Sequence, residues 1–183
     1  MCFIDVLIDG ELFAHEGYTG SVDGRIDLNI KLSKNRKRIT IYFPNLFRSD
    51  VVNFEIDDGA EFTPYENKRK FLFFGDSITQ GYTAEYPSKS YANRISRYFD
   101  ASALNDGIGG AFFNAGIIDT ELGFMPDLIF VAYGTNDWSK NHDVKKNSKE
   151  FVKRLKACFP QSKMIGITPI WRGNAESRTD TVI

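Results

Sequence analysis

Cysteine is scarce in this sequence. Only Cys2 and Cys158 occur, far apart, which excludes a disulfide framework and any paired-thiolate metal site and fits a reducing compartment. Long apolar runs are missing too: nowhere do 18 consecutive apolar residues stand ready to cross a membrane. Charge of one sign is not in excess. With 23 Lys and Arg against 24 Asp and Glu the net charge is −1, so neither nucleic acid nor an anionic membrane is expected as a partner. The opening residues MCFIDVLIDGEL hold Asp5 and Asp9 where a signal peptide needs basic residues; if this N-terminus is genuine, the protein is expected in the cytoplasm. Two phosphate-binding loops are excluded. No GxxxxGK followed by Ser or Thr occurs, and Gly107-Ile108-Gly109, which begins like a dinucleotide loop, has Phe112 where the third glycine belongs. The GxSxG nucleophile turn is absent. Histidine occurs only at His15 and His142.

What is present divides in two. Residues 1–66 read as all-β, a small partial β-sandwich or jelly roll. Strands are expected at Phe3–Ile8, Arg25–Leu32, Ile39–Phe43 and Val51–Ile56, where polar and apolar residues alternate or β-formers cluster between turn residues. The run Lys34 to Arg38 reads as a solvated turn, not a binding patch. Residues 67–183 alternate strands with helices, which predicts a parallel sheet. The strands are Phe71–Phe74, Ala101–Asn105, Asp127–Tyr133 and Met164–Thr168; the helices are Ser88–Phe99 and Asp143–Phe159, the latter ended by Pro160. Wholly apolar strands such as Phe71–Phe74 are expected where both faces of a sheet are covered.

In an open parallel sheet, ligands bind beyond the carboxyl ends of the strands. The residues there are GDSITQG from Gly75, NDGIGG from Asn105, GTNDW from Gly134 and Pro169-Ile170-Trp171. One Gly-Asp-Ser alone would be a helix-capping turn. The first three strings, in this order and each after a strand, resemble the SGNH/GDSL hydrolase family across residues 69–171. The resemblance implies a three-layer α/β/α flavodoxin-like domain and a serine-dependent carboxylic-ester hydrolase working through an acyl-enzyme, with no metal and no organic cofactor. Its substrate would be a small-molecule or carbohydrate ester, a deacetylase role being favoured.

The resemblance also implies roles. Ser77 would attack the ester carbonyl, and the oxyanion so formed would be held by the backbone N–H of Ser77, that of Gly110, and the Asn136 side-chain amide. Neutral, pre-positioned donors of this kind supply the largest catalytic contribution in such reactions. Gly110 is chosen because it closes the family's N-x-G-x-x-G loop, which runs here from Asn105. Asp76 and Asp137 would brace the loops by accepting backbone N–H bonds. Tyr82, Trp138 and Trp171 stand as substrate contacts, with packing at the rim as the other reading. The family's base is a His in a late Asp-x-x-His block, which this sequence lacks. Truncation after Ile183 is the expected account of that, the partial β segment suggests the same at the N-terminus, and a fragment with an unfinished sheet is expected to self-associate. His142, on the third loop, is the other candidate base; the plainer reading makes it an exposed residue before a helix, and His15 a loop residue. Two alternatives remain open: an acyltransferase using the same serine, and a non-catalytic module that binds an ester or glycan.

Overall fold

The computed structural model describes residues 2–19, 24–118 and 123–170. The N-terminal part forms a three-stranded antiparallel sheet of β1 (Cys2–Ile8), β2 (Glu11–Tyr18) and β3 (Ile39–Tyr42), ordered β2-β1-β3. Asp9-Gly10 turns β1 into β2, and the pairing slips at Val6/Leu7, a bulge that twists the hairpin.

Two expected strands are corrected. Arg25–Leu32 and Val51–Ile56 form no strand. In the first, Ile26, Leu28 and Ile30 are half-buried while Arg25, Asp27 and Asn29 are exposed. The alternation is real, but it records an extended chain with one face against the body and no neighbour to complete a hydrogen-bonded ladder. The second is exposed throughout, with Val52 at 82%. A strand that the alternation does not announce, β2, takes part instead.

The second sheet is parallel and four-stranded: β4 (Arg69–Gly75), β5 (Ala101–Gly107), β6 (Leu128–Ala132) and β7 (Lys163–Gly166), ordered β5-β4-β6-β7. Among the described residues four α-helices accompany it: α1 (Ser77–Gln80), α2 (Tyr91–Tyr98), α3 (Thr135–Ser139) and α4 (Val144–Cys158). Strand alternation explains the layers. Phe71 and Phe73 of β4 and Phe130 of β6 point to one face and pack with Ala92 of α2. Leu72 and Phe74, with Ile129 and Val131, point to the other and meet Phe151 and Leu155 of α4. Phe73 and Phe130 are direct neighbours in register and stack with ring centroids 4.5 Å apart. The fold is the expected α/β/α arrangement, flavodoxin-like, with a small antiparallel sheet ahead of it. No described helix is long and apolar enough to cross a membrane.

The N-terminal sheet meets the turn at Pro87–Lys89, ahead of α2, through a buried polar contact. Asp5 of β1 is fully buried; one carboxylate oxygen accepts the Ser88 N–H at 2.8 Å, and the other lies 2.6 Å from His15 Nδ1 on the paired position of β2. The His15 ring is stacked between Phe3 and Tyr86, at 4.3 and 3.9 Å. His15 is thus a strand residue clamped where the N-terminal sheet meets the Tyr86–Ser88 turn, not the loop residue expected.

Candidate active site

The chain leaves β4 in opposite directions: β5 lies on one side of it and β6 on the other. Such a switch of strand order opens a crevice at the carboxyl ends, and the segments after these three strands converge there.

The first segment turns sharply into α1. Asp76 is its N-cap, buried, its carboxylate accepting the Ile78 N–H at 2.9 Å. Ser77, half-buried, is the first residue of the helix. The turn is tight because α1 lies directly over the end of β5. A Cβ at Gly107 would come within 2.4 Å of the Gln80 backbone nitrogen and 2.7 Å of the Thr79 carbonyl carbon. The Asn105 side chain locks the same contact, donating to Thr79 O at 2.8 Å and accepting the Gly107 N–H at 3.0 Å.

The second segment, after β5, passes Ser77. A Cβ built on Gly109 would lie 4.0 Å from Ser77 Cβ. Gly110 adopts φ +76°, a left-handed conformation that favours glycine. Of three consecutive N–H groups in this turn, the outer two are engaged within the protein: Gly109 donates to Gln80 Oε1 at 2.8 Å and Ala111 to Ile108 O at 3.0 Å. Gly110 lies between them.

The third segment grips the second. From α3 and the residue after it come three bonds: Asn136 Nδ2 donates to Ala111 O at 2.9 Å, Lys140 Nζ to Gly110 O at 2.9 Å, and the Asp137 carboxylate accepts the Phe113 N–H at 3.2 Å. The Asn136 amide nitrogen carries two hydrogens, so the bond to Ala111 leaves the second to serve another acceptor. Asp137 is fully buried, and burial raises its pKa above the ordinary carboxylate value, opposed by the Phe113 N–H and the nearby His142. Tyr133, at the end of β6, is also buried. Its phenol is pushed up by that burial and by the charges of Asp106, Asp76 and Asp137, so it stays protonated.

Of the remaining expected residues, Tyr82 is 60% exposed and its N–H donates to Ser77 O at 2.8 Å. It stands with Phe3 and Leu46 of the N-terminal segment around a small crevice. Trp138 is half-buried on α3, and Trp171 lies outside the described residues. His142 is half-buried, not exposed. Its ring meets Phe112 edge-on at 4.3 Å, its Nδ1 is buried, and its backbone N–H donates to Asp137 O at 2.9 Å. No described hydrogen bond joins Ser77 to either histidine. A cavity of about 150 Å³ lies beside α1, lined by Asp76, Ile78, Thr79, Thr135, Ile167 and Pro169 and not by Ser77, Gly110 or Asn136. The sequence reading passed over Gln80 and Lys140; their bonds to loops 29 and 30 residues away leave no local signal.

Residues 73–182 match the family described as GDSL-like lipase/acylhydrolase. Among solved structures the chain is similar to a family two carbohydrate esterase from Clostridium thermocellum in complex with cellohexaose. The TM-score is 0.72 at 16% identity, over 96% of this chain and 67% of that one. It is similar to a carbohydrate esterase family 2 enzyme with a carbohydrate-binding domain from Corynascus thermopiles (Myceliophthora fergusii), with a TM-score of 0.65 at 17% identity over 98% and 70%. A salicylyl-acyltransferase from a tetracycline biosynthetic pathway gives 0.61 at 22% identity over 89% and 48%. These identities establish a shared fold. No curated protein matches the chain.

Proposed function

The chain belongs to the GDSL-like lipase/acylhydrolase family, and we propose that it carries the nucleophile and oxyanion-binding half of a carboxylic-ester hydrolase, with Ser77 as nucleophile. The observation that carries this reading is the meeting of three loops. Ser77 lies beside the Gly109–Ala111 turn, whose outer N–H groups are engaged, and Asn136 is anchored to Ala111, one residue beyond Gly110, with an amide hydrogen to spare.

Ser77 Oγ attacks the ester carbonyl, its proton passing to a base. Electrons move onto the carbonyl oxygen, where the N–H groups of Ser77 and Gly110 and the Asn136 amide hold the charge. Collapse expels the alcohol and leaves an ester on Ser77, which water then cleaves. Donors fixed 2.7–3.1 Å from the oxyanion position are worth roughly 10²–10³ each in turnover. The fold shared with carbohydrate esterases over nearly the whole chain, N-terminal sheet included, favours a sugar alcohol as the other half of the substrate, by analogy of fold. Division into an N-terminal β unit, 1–66, and a hydrolase unit, 67–183, belongs to the same proposal.

Among the described residues no base is placed beside Ser77. His15 Nδ1 is engaged with Asp5, and His142 is packed on Phe112. A serine hydroxyl without a base is a weak nucleophile, and loss of one triad member costs on the order of 10⁴–10⁶ in turnover. This chain is therefore expected to turn over esters very slowly until a base is supplied. The test supplies one: the protein is incubated with p-nitrophenyl acetate and imidazole, and the acetyl-enzyme is located by peptide mass spectrometry. Imidazole-dependent acetylation of Ser77, abolished in Ser77→Ala, is the expected result. Equal p-nitrophenolate release from wild type and Ser77→Ala, with Ser77 unmodified, overturns the reading. Added acceptor alcohols that collect the acetyl group would mark a transferase.

A further inference from the structure

The side chain of Gln80 connects two parts of the molecule that the mechanism treats as separate. Its Oε1 accepts the Gly109 N–H at 2.8 Å, and its Nε2 donates to the Asn45 carbonyl at 3.3 Å. Asn45 lies just after β3, in the segment joining the N-terminal sheet to the hydrolase unit. That segment is pressed onto the end of α1: a Cβ at Gly81 would approach the Asn45 side-chain nitrogen to 2.5 Å. A carboxamide is suited to the position because it accepts at one end and donates at the other. Glu would supply the acceptor alone and Lys the donor alone.

The consequence falls on the oxyanion turn. With the Gly109 N–H committed to Gln80 and the Gly110 carbonyl to Lys140, the peptide that carries the Gly110 N–H is held from both sides. Gln80 also ends the short helix that Ser77 begins, so nucleophile and turn are referred to one rigid element. We infer that Gln80 is a positioning residue. It aims the Gly110 N–H at the reacting oxygen and makes the Asn45 segment, through that bond, a structural part of the active site. This rests on the ester-hydrolase reading for its chemistry but not for its geometry.

Two measurements on the full chain separate the two. The first is amide hydrogen exchange at Gly109, followed by NMR in wild type, Gln80→Met and Gln80→Glu. The second is the rate of imidazole-supported Ser77 acetylation in the same three proteins. Gln80→Met, similar in size but with neither bond, should speed Gly109 exchange and slow acetylation, each on the order of tenfold, as for loss of one hydrogen bond. Gln80→Glu keeps the acceptor, so Gly109 should stay protected. Acetylation should still fall, because a negative charge then stands beside the developing oxyanion.

Unchanged Gly109 exchange in Gln80→Met overturns the inference. So does wild-type acetylation by that variant, or equal exchange in the two variants. If Gln80→Met does not fold, continued protection of Gly109 in Gln80→Glu with slowed acetylation supports the inference, and loss of that protection overturns it. A wild-type protein that never acetylates, while Gly109 exchange follows the expected order, supports Gln80 as the tether of the turn and counts against the ester reading instead.

Discussion

The Asn136 carboxamide donates to the Ala111 carbonyl at 2.9 Å, tying the loop after β6 to the loop after β5 across 25 residues of sequence. On the proposed reading this nitrogen has two tasks: one hydrogen fixes the turn, and the other serves the substrate. Asn136→Ala removes both and is expected to lower Ser77 acetylation by roughly 10²–10³. Asn136→Asp should be at least as poor despite its matching size, because a carboxylate repels both the Ala111 carbonyl and the oxyanion. Acetylation rates with imidazole, set against Ser77→Ala, check both; an Asn136→Asp protein at wild-type rate would remove this residue from the site.

Asp137 gives a pH dependence whose sign is fixed. Its pKa is raised in the folded protein, chiefly by burial, from an ordinary 3.8. Between 3.8 and the raised value the native state binds more protons than the unfolded chain, so stability falls as pH rises through that window. Above it, the full cost of a buried anion is carried. Asp137→Asn still accepts the Phe113 N–H but does not titrate. Urea denaturation across the window should show wild type losing stability relative to Asp137→Asn as pH rises; a constant difference between them would contradict the assignment.

The clamp between the N-terminal sheet and the turn ahead of α2 is testable through Asp5. Asp5→Ala leaves the Ser88 N–H buried without its acceptor and His15 without its partner, and stranding a buried donor costs about 1–3 kcal/mol. Asp5→Asn, which can still accept from Ser88, should cost less. Denaturation midpoints rank the two, and an Asp5→Ala protein as stable as wild type would show the clamp to be dispensable.

Gly107 is held by the approach of α1. In Gly107→Ala the new methyl meets the Thr79 and Gln80 backbone, which cannot rotate aside as a side chain would. Overpacking of this kind costs typically about 1–3 kcal/mol. The displaced helix carries Ser77, so acetylation should fall by more than the stability loss alone accounts for. Stability and acetylation measured on one preparation separate these effects.

The hydrolase unit was largely legible in the sequence. Phe71–Phe74 reads as a strand covered on both faces because every residue in it is apolar, and α4 is visible in the spacing of Phe151, Leu155 and Phe159. The three motif strings could be placed after their strands for the same reason. The bonds joining those loops could not: Asn136 to Ala111 and Gln80 to Gly109 span loops whose approach depends on the finished sheet. The N-terminal part was harder. Arg25–Leu32 alternates like a strand because one face rests on the body, yet alternation says nothing about a hydrogen-bonding neighbour. In β2, Glu11–Tyr18 lacks clean alternation because its pairing slips at the bulge. His15 looked like a loop residue because its partner, Asp5, comes opposite only once the hairpin register is known.

The contact between Asp5 and Ser88 spans 83 residues of chain. A ribosome adding about 5–20 residues per second needs roughly 4–17 s to make that interval. Until it ends, the strands already made lack the surface they meet in the finished fold, and before β3 follows, the β1–β2 hairpin is only marginally stable in water. The carboxylate of Asp5 therefore stays hydrated until Ser88, in the turn ahead of α2, has emerged. The N-terminal sheet, synthesised first, is expected to settle last, and nascent chains stalled before Ser88 should remain open to proteolysis at β1.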